Sequence, residues 1–174
     1  MRHPEPDDFD ELYDLYRSSR VHFRGVMRTQ YDRASFDFML EEAAKETNKY
    51  FVICSNNRKT IAGTINLSQI FRKAFQNAYL GYMLGVNFTG SGYMNEAAAI
   101  ALEFAFDDLK LHRVEANVQP SNKSSIAVLR RNGFTKEDFS RRYLKFGGQW
   151  RDHERWAIIR EDWKSGGKAA LPDL

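Results

Sequence analysis

Two glycines between a predicted strand and a predicted helix provide the first chemistry in this sequence. The segment Gly90-Ser91-Gly92 follows an apolar run that ends at Val86 and precedes a long helical pattern that begins near Met94. Such a turn presents free backbone N–H groups and the positive end of a helix dipole, so it suits a pyrophosphate, although plain turn chemistry gives the same pattern. No Lys-Ser or Lys-Thr pair follows, and the dinucleotide fingerprint is absent. Neither an ATP-type phosphate loop nor a nicotinamide-dependent oxidoreductase is therefore indicated.

The residue types that metal or acyl-enzyme chemistry requires do not occur at useful spacings. His3, His22, His112 and His153, with the single Cys54, show no metal-ligand pattern. No serine stands in a nucleophile elbow of the Gly-x-Ser-x-Gly type. We therefore expect no metal and no acyl-enzyme, and we expect Cys54 to be a small core residue.

Alternating helical and β patterns predict the elements that position these residues. Two helices come first, one capped by Asp7 or Asp8 and the other running from Phe36 to about Thr47, with the patternless segment Val21–Arg33 between them. The remaining elements are strands at Tyr50–Ser55, Thr60–Leu67 and Ala78–Val86, a helix from about Met94 to Leu109, a strand at Arg113–Val118, a helix that stops at Asn132-Gly133, and strands at about Lys136–Phe146 and Trp150–Ile159. The predicted order is α-α-β-β-β-α-β-α-β-β in a single domain, residues 1–174.

Composition and charge narrow the class of protein. The 174 residues suit about one globular domain, with 43% hydrophobic and 28% charged residues. No apolar run approaches 18 residues, no apolar leader opens the chain, and no second cysteine can form a disulfide, so we expect a cytoplasmic protein that needs no membrane. Residues 51–174 hold 18 basic and 12 acidic residues. That surplus suits an anionic small ligand or a solvated basic surface, while the net charge of +3 does not imply nucleic-acid binding.

A second group of motif residues lies about thirty positions after the glycines, in Asn122-Lys-Ser-Ser125 and Arg131-Asn-Gly-Phe134. Together with Thr89–Met94, these segments resemble the Gcn5-related N-acetyltransferase (GNAT) superfamily, whose cofactor motif is Gln or Arg, two residues, Gly, one residue, and Gly or Ala. Gly92 is the central glycine of that motif, whereas Thr89 and Met94 replace its first and last residues. Further segments resemble the ribosomal-protein alanine N-acetyltransferases of the Rim type: Tyr79–Gly85, Gly92–Ala97, His112-Arg113 and Gly148–His153.

The resemblance implies a fold and an activity. The fold is α/β (α+β): a central mixed, mostly antiparallel sheet of about six to seven strands, flanked by about four helices. It normally begins with a strand before the first helix. Only Met1-Arg2-His3 precede Pro4 here, so we expect that strand to be short or missing, or the start of the chain to be placed late. The implied reaction transfers an acetyl group from acetyl-CoA directly to a primary amine, catalysed by a monomer or homodimer.

The resemblance also implies which residues bind acetyl-CoA. The pantetheine arm lies beside Tyr82, Met83 and Leu84. Asn122 resembles the asparagine that hydrogen-bonds the pantetheine amide, although a helix N-cap would also place an asparagine here. Ser125, one helical turn later, resembles a serine that bonds the cofactor sulfur and assists departure of the thiolate. The pyrophosphate lies over Thr89, Gly90, Ser91, Gly92, Tyr93 and Met94.

Of the site residues, the one that accepts the proton of the amine is the least well defined by the sequence. Strand alternation places Glu115 and Asn117 on one face, where a carboxylate can take the proton directly or through water. The glutamate that peptide N-terminal acetylases often use aligns with Asn117, so Glu115 is predicted as the base from its position alone, with a salt-bridged structural role as the alternative. His153 suits either a Rim-like signature or an oriented structural histidine, and water by itself can accept the proton.

Three functions follow from this reading. The predicted one is acetylation of a protein N-terminal α-amine, with a ribosomal protein as the acceptor partner. The alternatives are acetylation of a small amine, such as a polyamine, amino sugar or amino acid, and a non-catalytic acyl-CoA-binding module. The early helices and the last hairpin are expected to choose the acceptor.

Overall fold

A computed structural model describes residues 1–23, 31–55 and 60–165 and shows the predicted order of elements. Much of the patternless segment Val21–Arg33 lies outside the described residues. A short helix after the last strand was not predicted. The helices are α1 (Phe9–Ser19), α2 (Arg33–Ala43), α3 (Tyr93–Glu103), α4 (Lys123–Arg131) and α5 (Arg160–Ser165); the strands are β1 (Lys49–Cys54), β2 (Ile61–Phe71), β3 (Asn77–Leu84), β4 (Arg113–Val118), β5 (Thr135–Phe146) and β6 (Gln149–Ile159).

The six strands form one mixed sheet in the order β1-β2-β3-β4-β6-β5. Every neighbouring pair is antiparallel except β3 and β4, which are parallel. The parallel pairing extends only from Asn77↔Arg113 to Tyr79↔Glu115, and the two strands separate beyond it. The predicted mixed, mostly antiparallel sheet is confirmed, and the separation of β3 and β4 opens a notch in its centre.

The sheet packs against helices on both faces. Because side chains alternate along a strand, neighbouring residues of β3 belong to different cores. Leu80 packs with Leu102 of α3 and Leu129 of α4 in the larger core cluster. Met83, on the opposite face, packs with Leu12 of α1 and Phe36 of α2 in the smaller one. The notch therefore lies between two independently packed helical layers.

The expected first strand is reduced to a single β-bridge. Arg2 and Val52 exchange two backbone hydrogen bonds, of 3.2 and 2.8 Å. The Arg2 guanidinium then donates to both carboxylate oxygens of Asp8, at 2.8 and 2.5 Å, and the Glu5 N–H donates to the same carboxylate at 2.7 Å. The bridge and the ion pair together attach the start of the chain to β1.

The cap of α1 and the start of α2 differ from the predicted ones. Asp8 immediately precedes α1, but its carboxylate binds Arg2 and the Glu5 N–H and makes no capping hydrogen bond to α1. Helix α2 begins at Arg33, three residues before the predicted Phe36, because Asp32 caps it by accepting a 2.8 Å hydrogen bond from the Ser35 N–H. The predicted helix from Met94 to Leu109 is continuous, since α3 extends into a π-helical turn at Phe104–Asp108.

We expect Asp8→Asn to lower the free energy of unfolding by about 1–3 kcal/mol at pH 7, the usual cost of losing hydrogen bonds to a charged group. Burial raises the pKa of the Asp8 carboxyl, but the hydrogen bonds from Arg2 and the Glu5 N–H outweigh it and hold the pKa below its usual value. The stabilisation is therefore present above the unfolded-state pKa, about 3.9, and is lost as the pH falls through the lower folded-state pKa. Urea unfolding at pH 7 and near pH 2.5 measures the difference in free energy of unfolding between the wild type and Asp8→Asn. This difference should be smaller at the acidic pH.

The matched control for this prediction is Asp14→Asn. Asp14 pairs with Arg17 on the exposed side of α1, where both side chains are about two-thirds exposed, so its loss should cost less than 1 kcal/mol. Equal effects of the two substitutions would contradict the role assigned to Asp8.

In the part of the chain that the structure describes, no helix has the length and apolar character needed to cross a membrane.

Candidate active site

A cavity of about 940 Å³ occupies the notch between β3 and β4. Its walls come from both faces of the sheet, which is possible because these strands separate. On the α3/α4 face the lining includes Tyr82, Asn122 and Ser125. On the α1/α2 face the lining includes Tyr16, Tyr31, Tyr50, Thr64, Asn66, Asn117 and His153. The cavity thus joins two differently built halves.

The glycine turn forms one end of the first half. Gly90 and Gly92 have φ angles of +78° and +87°, and a Cβ atom added at either would meet no atom within 4 Å. Gly92 is the N-cap of α3 and provides no side chain to cap it, so the first N–H groups of the helix remain available to a ligand. Thr89, Gly90, Gly92 and Met94 line the cavity. A pyrophosphate fits this open, donor-rich turn.

Thr89 does not use its hydroxyl toward the cavity. Its Oγ1 donates to the Val86 carbonyl at 2.8 Å, within the short 3-10 turn before the glycines. Ser91 and Tyr93 belong to the same turn but are not among the cavity-lining residues. The turn therefore offers mainly backbone groups to a ligand.

Tyr82 and Ser125 form a hydrogen-bonded pair inside the cavity. The Tyr82 hydroxyl lies 2.7 Å from Ser125 Oγ and 3.3 Å from the Ser125 carbonyl oxygen. Burial raises the pKa of Tyr82 to about 12, against the opposing effect of the Ser125 hydrogen bond. The sequence placed Tyr82 beside the pantetheine but gave no sign of this pair, because the contact joins β3 to α4 across 43 positions.

Asn122 is the N-cap of α4, and it also lines the cavity. Its Oδ1 accepts hydrogen bonds from the Ser125 N–H at 3.2 Å and from Ser124 Oγ at 3.0 Å. The cap requires only Oδ1, so the Nδ2 amide is the group that can donate to a ligand. The two roles considered for Asn122 are therefore compatible. Met83 and Leu84 line the cavity next to Tyr82, and their contact with the pantetheine stays a prediction.

Glu115 lies away from the cavity lining. Its Oε1 accepts a 2.8 Å hydrogen bond from Arg113 Nε, and the Arg113 guanidinium also pairs with Glu137 on β5. This arrangement fits the structural alternative, and a catalytic role for Glu115 stays a prediction. Asn117, on the same strand face, does line the cavity, and its Oδ1 is buried without a hydrogen-bond partner in the described part of the chain.

Tyrosines dominate the second half of the cavity. The rings of Tyr16 and Tyr31 stack with centroids 4.1 Å apart and planes 4° from parallel. Burial raises the pKa of Tyr16, Tyr31 and Tyr50, so all three phenols are neutral at ordinary pH. Within the described residues the buried Tyr31 hydroxyl has no hydrogen-bond partner. An aromatic wall with an open hydroxyl is therefore available to a second substrate.

Sequence reasoning missed this wall. A usable signal was present in β2, where Thr64, Asn66 and Ser68 alternate with the buried Ile65 and Leu67. Polar residues at period two on one strand face indicate that this face covers something other than core. Thr64 and Asn66 both line the cavity.

Among the described cavity residues, His153 is a titratable side chain that is almost fully buried, with 1% of its surface exposed. Its Nδ1 lies 3.0 Å from the Arg151 carbonyl oxygen. A carbonyl can only accept, so Nδ1 carries the hydrogen, and Nε2 of the neutral ring is an acceptor. Burial lowers the pKa of His153 below 6.5, although the Arg151 carbonyl and Asp152 oppose the shift. The ring is therefore neutral at pH 7.

The charged residues of the cavity are basic. Lys123 and Arg131 line it, and no aspartate or glutamate does so among the described residues. The same part of the chain contains no group of three or more His, Cys, Asp or Glu side chains placed to hold a metal. Direct transfer without a metal stays a prediction. Cys54, expected in the core, is a free thiol of intermediate burial beside the smaller cluster.

Comparison with known families identifies the fold. The acetyltransferase (GNAT) domain model matches residues 1–135. The chain belongs to the GNAT acetyltransferase family. GNAT enzymes use acetyl-CoA, and the central cavity of this GNAT chain combines an open glycine turn with a second, aromatic half.

Individual relatives include proteins with and without a named acceptor. A probable N-acetyltransferase of Bacillus subtilis, YjcK, is 40% identical over 91% of this chain and 84% of its own length. The ribosomal protein uS5-alanine N-acetyltransferase of Escherichia coli is 38% identical over 74% of this chain and 66% of its own length.

Solved structures agree with this family. Mycobacterium smegmatis RimJ in complex with CoA-disulfide has a TM-score of 0.85 and 28% identity, covering 99% of this chain and 83% of its own. The ribosomal-protein-S5-alanine acetyltransferase of Vibrio fischeri has a TM-score of 0.81 and 28% identity, covering 93% of both chains. A spermidine N-acetyltransferase of Vibrio cholerae shares the fold at 17% identity.

Proposed function

We propose that this GNAT enzyme transfers the acetyl group of acetyl-CoA to the N-terminal α-amine of a protein, with a ribosomal protein that begins with alanine as the acceptor. The observation that carries the proposal is the charge of the cavity: Lys123 and Arg131 are in its described lining, and no carboxylate is. The relatives named as ribosomal-protein alanine N-acetyltransferases support the same acceptor.

This charge pattern favours an α-amine over a polyamine. A polyamine carries several ammonium groups, and burying them is costly unless anionic partners pair with them. A protein α-amine has a pKa of about 7.7–8.0, against about 10.4 for an alkylamine such as lysine. An appreciable fraction of α-amine is therefore neutral at pH 7.5, and a neutral amine suits a wall of neutral phenols and amides.

Acetyl-CoA is assigned to the α3/α4 half. The pyrophosphate would lie on the turn Thr89–Met94, and Lys123 and Arg131 line the same cavity with positive charge. The pantetheine would lie along Tyr82, Met83 and Leu84, with Asn122 Nδ2 donating to one of its amide carbonyls. These residues orient the donor so that its acetyl group reaches the notch.

Ser125 is assigned to the departing thiolate. As the C–S bond breaks, Ser125 Oγ donates a proton to sulfur, and the Tyr82 hydroxyl, 2.7 Å away, donates to Ser125 Oγ in turn. With a pKa of about 12, Tyr82 holds its proton in the resting enzyme and is available as this donor. The proton is replaced from solvent after release of CoA.

A panel of acceptors tests the proposal. We expect release of free thiol from acetyl-CoA with a peptide that begins with alanine, at a kcat/KM at least a hundredfold above that for spermidine, an amino sugar or a free amino acid. The matched control is the same peptide with its α-amine blocked and an internal lysine retained, which should not react. Transfer to spermidine but to no unblocked peptide would contradict the α-amine acceptor. Failure to bind acetyl-CoA in calorimetry would contradict the enzyme reading itself.

A further inference from the structure

The cavity leaves few candidates for the base that accepts the amine proton. Among its described lining residues, the tyrosines are neutral phenols, and Lys123 and Arg131 already carry their protons. No carboxylate lines this described part of the cavity. His22 and His153 are the remaining titratable side chains there. His22 is exposed, whereas His153 is 1% exposed and fixed by a hydrogen bond.

The position of His153 suits contact with the acceptor amine. In the β4–β6 register Asn117 pairs with Arg155, and His153, two residues before Arg155, shares that face of the sheet. Asn117 and His153 are therefore diagonal neighbours, with Cα atoms about 7–8 Å apart. Both line the cavity, and both offer an acceptor, Oδ1 of Asn117 and Nε2 of His153.

We propose that His153 is the general base of acetyl transfer and that Asn117 holds the acceptor amine beside it. The neutral amine nitrogen attacks the thioester carbonyl carbon while Asn117 Oδ1 accepts one of its N–H groups. As the N–C bond forms, the carbonyl π pair moves to oxygen, and His153 Nε2 takes a proton from nitrogen to become an imidazolium. The C=O bond then re-forms, and the C–S pair leaves with the thiolate, which is protonated from Ser125. The imidazolium returns its proton to solvent, so the net products are an acetamide and CoA thiol.

This assignment rests on the acetyl-transfer part of the proposed function and not on the identity of the acceptor. It also departs from the predicted base, since the Glu115 carboxylate is paired with Arg113 outside the cavity lining. Asn117 can accept a hydrogen bond but cannot take up a proton. Proton acceptance is therefore assigned to His153, on the neighbouring strand β6.

The groups around His153 define its pH response. On β6 they are Arg151, whose carbonyl accepts the Nδ1 hydrogen, Asp152, and Arg155 on the same face. Tyr143 and Phe146 of β5 contact the ring, with centroids 6.3 and 5.6 Å away. On β4 the diagonal neighbour Asn117 is uncharged, and the register continued beyond β4 places the uncharged Gln119 opposite His153. Burial lowers the pKa more than Arg151 and Asp152 raise it. The base is therefore competent down to a pH below 6.5 and is lost as it protonates.

The decisive experiment compares pH profiles of kcat for the full chain and its His153→Asn variant, using the best amine of the acceptor panel. Asparagine can still donate to the Arg151 carbonyl but lacks the Nε2 acceptor. We expect kcat at pH 7.5 to fall about tenfold, a modest loss because water accepts the proton instead. The wild-type profile should lose activity below an apparent pKa under 6.5, and the variant should lack this acid limb. The Kd of acetyl-CoA should change less than twofold.

Three further measurements keep the test decisive. Added imidazole should restore kcat in His153→Ala, while His22→Asn and His112→Asn should keep the wild-type acid limb. An acid limb retained in His153→Asn, or lost in His22→Asn, would overturn the proposal. If His153→Asn does not fold, a wild-type kcat that is flat from pH 5 to 8 overturns it equally. Transfer to spermidine alone would contradict the α-amine acceptor but would leave this test of the base intact.

Discussion

Replacing Ser125 with alanine is expected to lower kcat about a hundredfold while leaving the Kd of acetyl-CoA within twofold of the wild type. General acid catalysis commonly raises the rate 10²–10⁴-fold. Ser125 Oγ is the assigned proton donor to the thiolate, and the thiolate forms only as the C–S bond breaks. An interaction made only in the transition state affects kcat and not ground-state binding. Steady-state kinetics and calorimetry with acetyl-CoA measure the two quantities. Equal losses in turnover and affinity would indicate a binding role instead.

The hydrogen bond between Tyr82 and Ser125 leads to a related prediction for Tyr82. Tyr82→Phe keeps the ring and removes the hydroxyl that lies 2.7 Å from Ser125 Oγ. We expect a loss of about tenfold in kcat, and little further loss when Tyr82→Phe is added to Ser125→Ala, since the two hydroxyls act as one unit. Matched controls are Ser18→Ala, whose hydroxyl bonds to its own helix at Leu15, and Tyr13→Phe on the exposed side of α1. If the double variant showed the full sum of the two single losses, expressed as activation free energies from kcat, proton donation from Tyr82 through Ser125 would be contradicted.

Replacing Gly92 with valine is expected to weaken acetyl-CoA binding at least thirtyfold, or about 2 kcal/mol. The φ of +87° disfavours a β-branched residue, and the new side chain would project into open space beside the first N–H groups of α3. That space is the assigned seat of the pyrophosphate. Calorimetry with acetyl-CoA measures the effect, and acetylpantetheine, which lacks the pyrophosphate, should lose much less affinity on the same substitution.

Gly148→Val is the matched control for backbone strain. Gly148 has a φ of +80°, and a Cβ there would also meet nothing within 4 Å, but it lies in the β5–β6 turn. Both variants should lower the thermal midpoint by similar amounts, while only Gly92→Val should affect Kd. Equal changes in the Kd of acetyl-CoA in the two variants would contradict the assignment of the pyrophosphate to the glycine turn.

Local sequence patterns were sufficient for most of the architecture. Period-two and period-3.6 runs fixed the element order, because each depends on residues that are neighbours in sequence. Errors arose where a polar side chain had two chemically reasonable partners. Asp8 binds Arg2 and the Glu5 N–H instead of capping α1, and Asp32, overlooked as a cap, begins α2 three residues early. In both cases the partner that the aspartate binds depends on backbone geometry, which the amino-acid sequence pattern does not specify.

The sequence by itself predicted the order of the elements and the glycine turn, because these depend on residues that are neighbours in the chain, and its resemblance to GNAT motifs implied the fold. Only the tertiary structure decided which side chains share the cavity. β3 and β4 pair for three residues and then separate, and this places Tyr82 against Ser125 and opens the tyrosine wall. It also assigns Glu115 to an ion pair and His153 to the cavity. The physical reason is that charge pairing and burial depend on distances between strands and helices far apart in the chain, which residue spacing does not specify.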